Sequence, residues 1–147
     1  MLLKNFSKFN HLIVTTPIFY INAQPHIGHL YTLIISDYTK KRFQNFGFET
    51  YLATGTDEHG QKVLKSAEKL GIDVITHCNN NSEKFKDLAE TFNIDFDEFI
   101  RTTDKDHKHT ASKFWQQLYN NQNIFKDNYS GWYCEREETF FTERDLI

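Results

Sequence analysis

Short apolar segments alternate with longer segments of helical periodicity along this chain. The short segments cover residues 11–16, 50–54 and 99–102 and are rich in the β-branched and aromatic residues that favour strands. Longer amphipathic segments separate and follow them, as expected of helices that cover a sheet. This alternation predicts an α/β fold in which a parallel sheet carries helices on its faces.

Two of the helices show an apolar face most clearly. In the helix that begins at residue 27 and ends near Gly47, the apolar positions are Ile27, Leu30, Tyr31, Ile34, Ile35 and Tyr38. In the helix after the third strand they are Ala111, Phe114, Trp115, Leu118 and Tyr119. The spacing predicts that both stripes pack in the core, and we expect the first strand to be buried as well. Further helices are predicted over residues 61–70 and around Phe85.

The last part of the chain has a different character. Residues 124–141 are rich in aromatic and turn residues and bend at Ser130–Gly131, which predicts a knuckle that resembles a β-hairpin. A parallel sheet of about three strands would also leave one edge unpaired. We therefore expect this chain to be the front part of a larger protein.

Composition narrows the class of protein. A net charge of −3 argues against a protein that coats nucleic acid, and 39% hydrophobic residues suffice to bury a core. Cys78 and Cys134 are far apart and are expected to be reduced thiols, which favours a cytoplasmic setting. The sequence lacks the roughly 20 consecutive apolar residues of a membrane helix. Residues 1–9 contain Lys4 and Lys8 but no acidic residue, so an organellar presequence stays open.

One tetrapeptide carries the clearest chemical signal. His26 and His29 flank Gly28, directly after Pro25 and ahead of a helical apolar segment. This places two imidazoles and several free backbone N–H groups at a helix N-terminus, where phosphate groups bind readily. The triphosphate of a nucleotide is the anion that this pattern favours. There are two simpler interpretations. The histidines could be exposed residues without a function, or they could form an isolated pair of metal ligands.

Three segments together resemble the beginning of the methionyl-tRNA synthetases. They are residues 15–22 (TTPIFYIN), 25–32 (PHIGHLYT) and 54–60 (TGTDEHG). The HxGH element alone marks the wider group of class I synthetases and nucleotidyltransferases, whereas the flanking segments are specific to the methionine enzymes. The similarity continues through residues 99–103 (FIRTT) and 129–134 (YSGWYC). It implies the first half of a Rossmann-type parallel sheet over residues 1–117, and the start of a β-rich connective domain over residues 118–147.

The resemblance also implies a reaction. The carboxylate of L-methionine attacks the α-phosphate of ATP, which enters with Mg²⁺, and the methionyl group then moves to tRNA(Met). By resemblance, His26 and His29 are catalytic and donate hydrogen bonds to the phosphates, while Gly28 lets the adenine ring approach the backbone. No protein nucleophile is needed, because catalysis rests on positioning and on stabilising charge.

The amino-acid site is implied in the same way. Asp57 matches the carboxylate that holds the α-ammonium group of methionine, and Ile18 and Tyr20 match the wall of the pocket. His59 either contacts substrate or shapes the loop. The simpler interpretations are that Asp57 caps the helix at Gln61 and that Ile18 and Tyr20 only pack the loop.

The chain departs from the family pattern at the knuckle. Many members bind structural zinc there through Cys-x-x-Cys, whereas this chain has Cys134 followed by Glu137. Structural zinc sites normally use four ligands and favour thiolates, so we expect no metal. Aromatic packing would hold the knuckle instead, through Trp132, Tyr133, Phe140 and Phe141.

A second departure concerns what the chain contains. The Lys-Met-Ser-Lys-Ser loop of the family and its anticodon-binding helices are not found in these residues. We therefore expect the isolated chain to be nearly or wholly inactive, with L-methionine, ATP and tRNA(Met) as partners of a full-length ligase. The alternatives are another HxGH nucleotidyltransferase, or a truncated or split remnant that acts as a binding module. The oligomeric state cannot be derived from the sequence.

Overall fold

The computed structural model describes residues 10–145. Its strands and helices follow one another as β1 (His11–Thr15), β2 (Phe19–Tyr20), α1 (Ile27–Asn45), β3 (Glu49–Asp57), α2 (Gln61–Leu70), α3 (Val74–Thr91), β4 (Glu98–Arg101), α4 (Lys105–Asn120), β5 (Trp132–Cys134) and β6 (Thr139–Phe141), before a short 3₁₀ helix (Glu143–Asp145). The chain forms two compact units, one that ends at Lys108 and one that begins at His109. The predicted α/β class and the terminal hairpin are confirmed.

The sheet of the first unit is parallel and has β3 at its centre. Ala53 pairs with both Thr15 and Glu98, so β1 and β4 lie on opposite edges of β3. Further along, Thr56 pairs with Phe19 of β2 and with Arg101 of β4. Since strands of a parallel sheet end at the same edge, the segments after β2, β3 and β4 lie close together.

Backbone crowding explains one glycine of β3. A Cβ atom at Gly55 would lie 2.0 Å from the carbonyl oxygen of Ile100 on the neighbouring strand. No side chain fits such a gap without moving β4 away. Gly55 therefore allows the close approach of β3 and β4 just before the strands end.

A single apolar cluster lies between the sheet and its helices. Its buried members are Phe19, Ile21, Leu30, Leu33, Leu52, Val63, Cys78, Phe85, Ala89 and Ile94. They come from β2, β3, the helices α1, α2 and α3, and the loop segments between them. Cys78 is buried in this cluster, and both cysteines are free thiols.

The predicted apolar face of α1 is wrong apart from Leu30. The buried residues of this helix are Leu30, Leu33, Ser36 and Lys40, whereas Ile27 and Tyr31 are 78% and 66% exposed. Apolar residues occur on two sides of α1, so periodicity could not select the side that faces the sheet. The buried side includes a lysine, which no hydrophobic pattern would place there.

Two other predictions of burial are also wrong. Every residue of α4 is at least partly exposed, and both Phe114 and Trp115 are 61% exposed. In β1, Ile13 is 70% exposed, and its register partner Tyr51 in β3 is 41% exposed, so the described residues leave this part of the sheet face uncovered. The apolar residues are present as predicted, but the described residues do not cover them.

In the hairpin, ring contacts join β5 and β6. Trp132 pairs with Phe141, and Tyr133 pairs with Phe140, in antiparallel register. The ring of Phe140 lies 5.0 Å from the rings of both Tyr129 and Tyr133. Trp132 is nevertheless 64% exposed, so it contributes less packing than its size suggests.

The buried Lys40 connects α1 to the chain before β4. Its ammonium group lies 2.8 Å from Asp97 Oδ2 and 3.2 Å from Asp95 Oδ2, and it also donates to the Asp95 carbonyl. Asp97 Oδ2 accepts a second bond, from the backbone N–H of Leu52 in β3. Burial disfavours the ammonium, but the bonds to Asp97 and Asp95 outweigh this and raise the pKa of Lys40. One side chain thus ties α1 to the sheet.

We expect Lys40→Met to lower the free energy of unfolding by about 1–3 kcal/mol, because Asp97 and the Asp95 carbonyl lose their donor. Lys41→Met is the matched control. Lys41 is half-exposed on the same helix, where it pairs with Asp37 and also donates to the Asn93 carbonyl, and ion pairs open to solvent contribute less than about 1 kcal/mol. Urea unfolding of both variants measures the difference, and equal losses would contradict a special role for Lys40.

Candidate active site

Helix α1 begins with two histidines that cap one another. His26 is the N-cap, in extended conformation, and its Nδ1 accepts a hydrogen bond from the backbone N–H of Gly28 at 3.1 Å. In return, His29 Nδ1 accepts from the backbone N–H of His26, also at 3.1 Å. This reciprocal pattern is a capping box in which imidazole nitrogens take the place of the usual oxygens. The Nε2 atoms do not take part in it.

Apolar rings fix the position of His29. The rings of His26 and His29 stack with their centres 3.8 Å apart. Phe19 of β2 and Phe85 of α3 contact the His29 ring with their centres at 5.1 and 5.0 Å. Burial, and to a smaller extent the neighbouring His26, lowers the pKa of His29 below its ordinary value of 6.5. His29 is therefore neutral at neutral pH.

Gly28 lies where a larger residue would disturb the cap. A Cβ atom at this position would lie 3.0 Å from Cε1 and 3.1 Å from Nδ1 of His26. Such contacts are tighter than nearly all that real side chains make, so the His26 ring would have to shift. Gly28 thus has a structural role in the described chain, beside the nucleotide contact that the resemblance implies.

Asp57 is the last residue of β3 and pairs with Tyr20 of β2. The N-cap of α2 is Gly60, and Asp57 Oδ1 lies 3.4 Å from the backbone nitrogen of His59, before that helix begins. The simpler interpretation, in which Asp57 caps α2, is therefore wrong. Asp57 lies instead at the carboxyl edge of the sheet, beside Tyr20.

The segment with Ile18 and Tyr20 is anchored on both sides. The structure forms a short strand, β2, where the sequence predicts only a loop. Beyond it, Asn81 of α3 donates to the Ile21 carbonyl at 2.9 Å, and Ser66 Oγ of α2, which also bonds to the Lys62 carbonyl, lies 3.2 Å from the Asn22 carbonyl. Ile18 is 44% exposed just ahead of β2. These bonds hold the loop against the same edge of the sheet that carries Asp57.

Phe19 joins the two motifs, a role that the sequence does not reveal. It pairs with Thr56, next to Asp57, and its ring contacts His29 at the start of α1. The helix start and the end of β3 therefore share one apolar neighbour. An aromatic residue flanked by Ile18 and Tyr20 gave no signal that distinguished it from them.

A buried carboxylate that the sequence did not indicate holds the loop after β3 in place. The Glu58 side chain has 0% exposure, and Arg101 of β4 binds both of its oxygens at 2.7 and 3.0 Å. The hydroxyls of Thr56 and Thr103 donate to the same carboxylate, and the Glu58 N–H donates to Thr102 Oγ1 at 2.9 Å. Every oxygen of this buried group thus has a partner, as buried charges require.

The network extends to α3 and to His59. Arg101 also donates to Asn79 Oδ1 at 2.7 Å, and His59 Nε2 lies 3.2 Å from the Thr102 carbonyl. Burial alone would raise the pKa of Glu58, but the bonds from Arg101, Thr103 and Thr56 outweigh it and lower that pKa. The ion pair consequently persists at neutral pH. The contact of His59 ties its ring to the segment that follows β4.

Between residues 10 and 145, the structure contains no group of three His, Cys, Asp or Glu residues that could hold a metal ion. Cys134 lies half-buried in β5. His107 and His109 are exposed on α4. Among the described residues, none of the helices combines the length and apolar character needed to cross a membrane.

Comparisons with known proteins agree with this geometry. The family model described as tRNA synthetases class I (M) matches residues 12–147. The methionine–tRNA ligase of Rickettsia felis is 45% identical over 93% of this chain and 27% of its own length. The mitochondrial methionine–tRNA ligase of Candida albicans is 45% identical over 90% of the chain and 23% of its own length.

Solved structures give the same result. The methionyl-tRNA synthetase of Mycobacterium tuberculosis, in complex with methionyl-adenylate, superposes with a TM-score of 0.86 and 41% identity. That match covers 91% of this chain and 26% of the solved one. The chain therefore spans about a quarter of the length of the relatives it matches.

We expect Glu58→Gln to lower the free energy of unfolding at neutral pH by about 3 kcal/mol, because Arg101 loses its charged partner in a buried site. Glu83→Gln, which disturbs only an exposed pair with Lys86, is the matched control and loses less than about 1 kcal/mol. Denaturant unfolding of both variants provides the measurement.

The pH dependence adds a second check. Because the folded pKa of Glu58 lies below its ordinary value of 4.5, the stability it adds is present above that pH and disappears as pH falls through the folded pKa. The difference between wild type and Glu58→Gln therefore shrinks on acidification. A difference that stays constant with pH would contradict the ion pair.

Proposed function

The chain belongs to the class I tRNA synthetases of the methionyl type, and on that premise we propose that it forms the ATP- and methionine-binding part of a methionine–tRNA ligase. One observation carries the proposal. Phe19 contacts His29 and pairs beside Asp57, so the phosphate-binding and amino-acid-binding motifs meet at one edge of the sheet. Methionine and ATP must meet in the same way for their reaction.

In the proposed reaction the methionine carboxylate attacks the α-phosphate of ATP, which forms methionyl-adenylate and releases pyrophosphate. His26 and His29 donate hydrogen bonds to the phosphate oxygens as negative charge develops. Backbone N–H groups and the dipole of α1 add positive potential at the same place. Removal of one such donor typically lowers the rate about 10²–10³-fold. Mg²⁺ arrives with ATP as part of the substrate.

The amino-acid site uses three side chains. We assign Asp57 to the α-ammonium group of methionine, with which its carboxylate would form a charge-assisted hydrogen bond. Ile18 and Tyr20 form the wall against the rest of the amino acid. The thioether of methionine has no charge, so selection rests on the shape of the pocket and on soft contacts with sulfur.

The organisation of the whole protein follows from the same proposal. Residues 1–117 would begin the catalytic domain and residues 118–147 the connective domain, whose knuckle holds no zinc. The partners are L-methionine, ATP and tRNA(Met). Relatives with mitochondrial names occur beside bacterial ones, so the site of action is the cytoplasm or an organelle that makes protein.

L-Methionine-dependent exchange between ATP and pyrophosphate, catalysed by the protein that contains this chain, tests the proposal. We expect Asp57→Asn to raise the KM for methionine about 10–100-fold, because a hydrogen bond to a charged group contributes about 1.5–3 kcal/mol. The matched control is Asp87→Asn, an equivalent change at an exposed position of α3, which leaves the KM unchanged.

Two outcomes would overturn the proposal. Exchange that depends on a different amino acid would remove methionine as the substrate. A lack of exchange with each of the standard amino acids would favour a non-catalytic module.

A further inference from the structure

The capping box of α1 restricts where the histidines carry their protons. His26 Nδ1 accepts from the Gly28 N–H, and His29 Nδ1 accepts from the His26 N–H. An imidazole nitrogen that accepts a hydrogen bond has no proton of its own, and in a neutral imidazole the other nitrogen then carries it. Both rings are therefore acceptors on one side and donors on the other.

We propose that the reciprocal caps hold His26 and His29 as neutral Nε2–H tautomers, so that the pair meets a polyphosphate with two N–H donors and without positive charge. The choice of a polyphosphate as the ligand rests on the proposed function, whereas the assignment of the tautomers rests on the capping geometry alone. Of the two simpler interpretations, unconstrained exposed histidines would populate both tautomers, and a metal pair would need unprotonated nitrogens facing the metal.

Protonation of either ring would break its cap. A proton on Nδ1 of His26 would point at the N–H of Gly28, only 3.1 Å away, and would turn an attraction into a repulsion. The same holds for His29 and the backbone N–H of His26. A charged imidazole would also lie at the positive end of the α1 dipole, which disfavours cations. The caps and the helix dipole thus both favour unprotonated Nδ1 atoms in the two rings.

The groups around the His29 ring do not favour its protonated form. Phe19 faces the ring from β2 and Phe85 faces it from α3, and both are apolar. Of the titratable groups, His26 lowers the pKa of His29, since a second positive charge there would repel the first. The neutral donors can bind phosphate at any pH at which the caps are intact.

Nitrogen NMR of the histidine side chains tests the proposal directly. The chain is labelled with ¹⁵N-histidine, and the long-range couplings between ring protons and nitrogens are recorded at neutral pH. We expect the Nε2–H pattern for His26 and His29. His107 and His109, exposed on α4, serve as internal controls and show the average of both tautomers. An Nδ1–H pattern, or an averaged pattern, at His26 or His29 would overturn the proposal.

Acid titration of the same sample gives a second measurement. Because protonation breaks the caps, the backbone amide protons of Gly28 and His26 shift with the same midpoints as the rings that they contact. The His29 ring titrates below its ordinary pKa of 6.5. Backbone amides that stay constant while the rings titrate would show that the caps do not control the protons.

Inorganic tripolyphosphate separates this inference from the proposed function. At neutral pH, we expect it to shift the Nε2 resonances of both rings while they remain neutral. Conversion of either ring to imidazolium on binding would overturn the proposal. If tripolyphosphate leaves the Nε2 resonances of both rings unchanged, the two histidines do not bind phosphate, and the proposed ATP site fails with that statement. The statement about the tautomers is then decided by the coupling pattern alone.

Discussion

The buried ion pair between Glu58 and Arg101 is the interaction on which the candidate site depends. It joins the loop after β3 to the end of β4, and through Asn79 it also reaches α3. Glu58 stands between Asp57 and His59, so the loop cannot move without breaking a charged bond in a buried place. Residues 54–60, which carry the resemblance to the family, thus contain Glu58, which holds the loop in place. Its neighbour Asp57 is assigned to the α-ammonium group of methionine.

A second constraint joins this loop to the start of α1. Phe19 pairs beside Asp57 and packs on His29, which in turn forms the capping box with His26. The chain therefore positions the groups proposed for methionine and for phosphate through one short strand. Rigid support of this kind is what catalysis by positioning requires, because small displacements of the reacting groups lower the rate strongly.

Local patterns in the sequence predicted the parts of the structure that depend on nearby residues. Apart from the short strand β2, the order of strands and helices was predicted correctly, as were the start of α1 at the histidine pair and the terminal hairpin. The ion pair of Glu58 with Arg101 was not predicted, because Arg101 lies 43 residues away and nothing near Glu58 indicates it. The buried side of α1 was missed for a similar reason, since Lys40 is buried only because Asp95 and Asp97 reach it from another segment.

The central claim is that the start of α1 and the loop after β3 form one binding surface. Hydrogen–deuterium exchange of the protein that contains this chain, with and without a hydrolysis-resistant methionyl-adenylate analogue, tests it most directly. Slower exchange in both residues 18–30 and residues 55–60 is the predicted result. Slower exchange in one of these segments without the other, or only outside both, would contradict the claim.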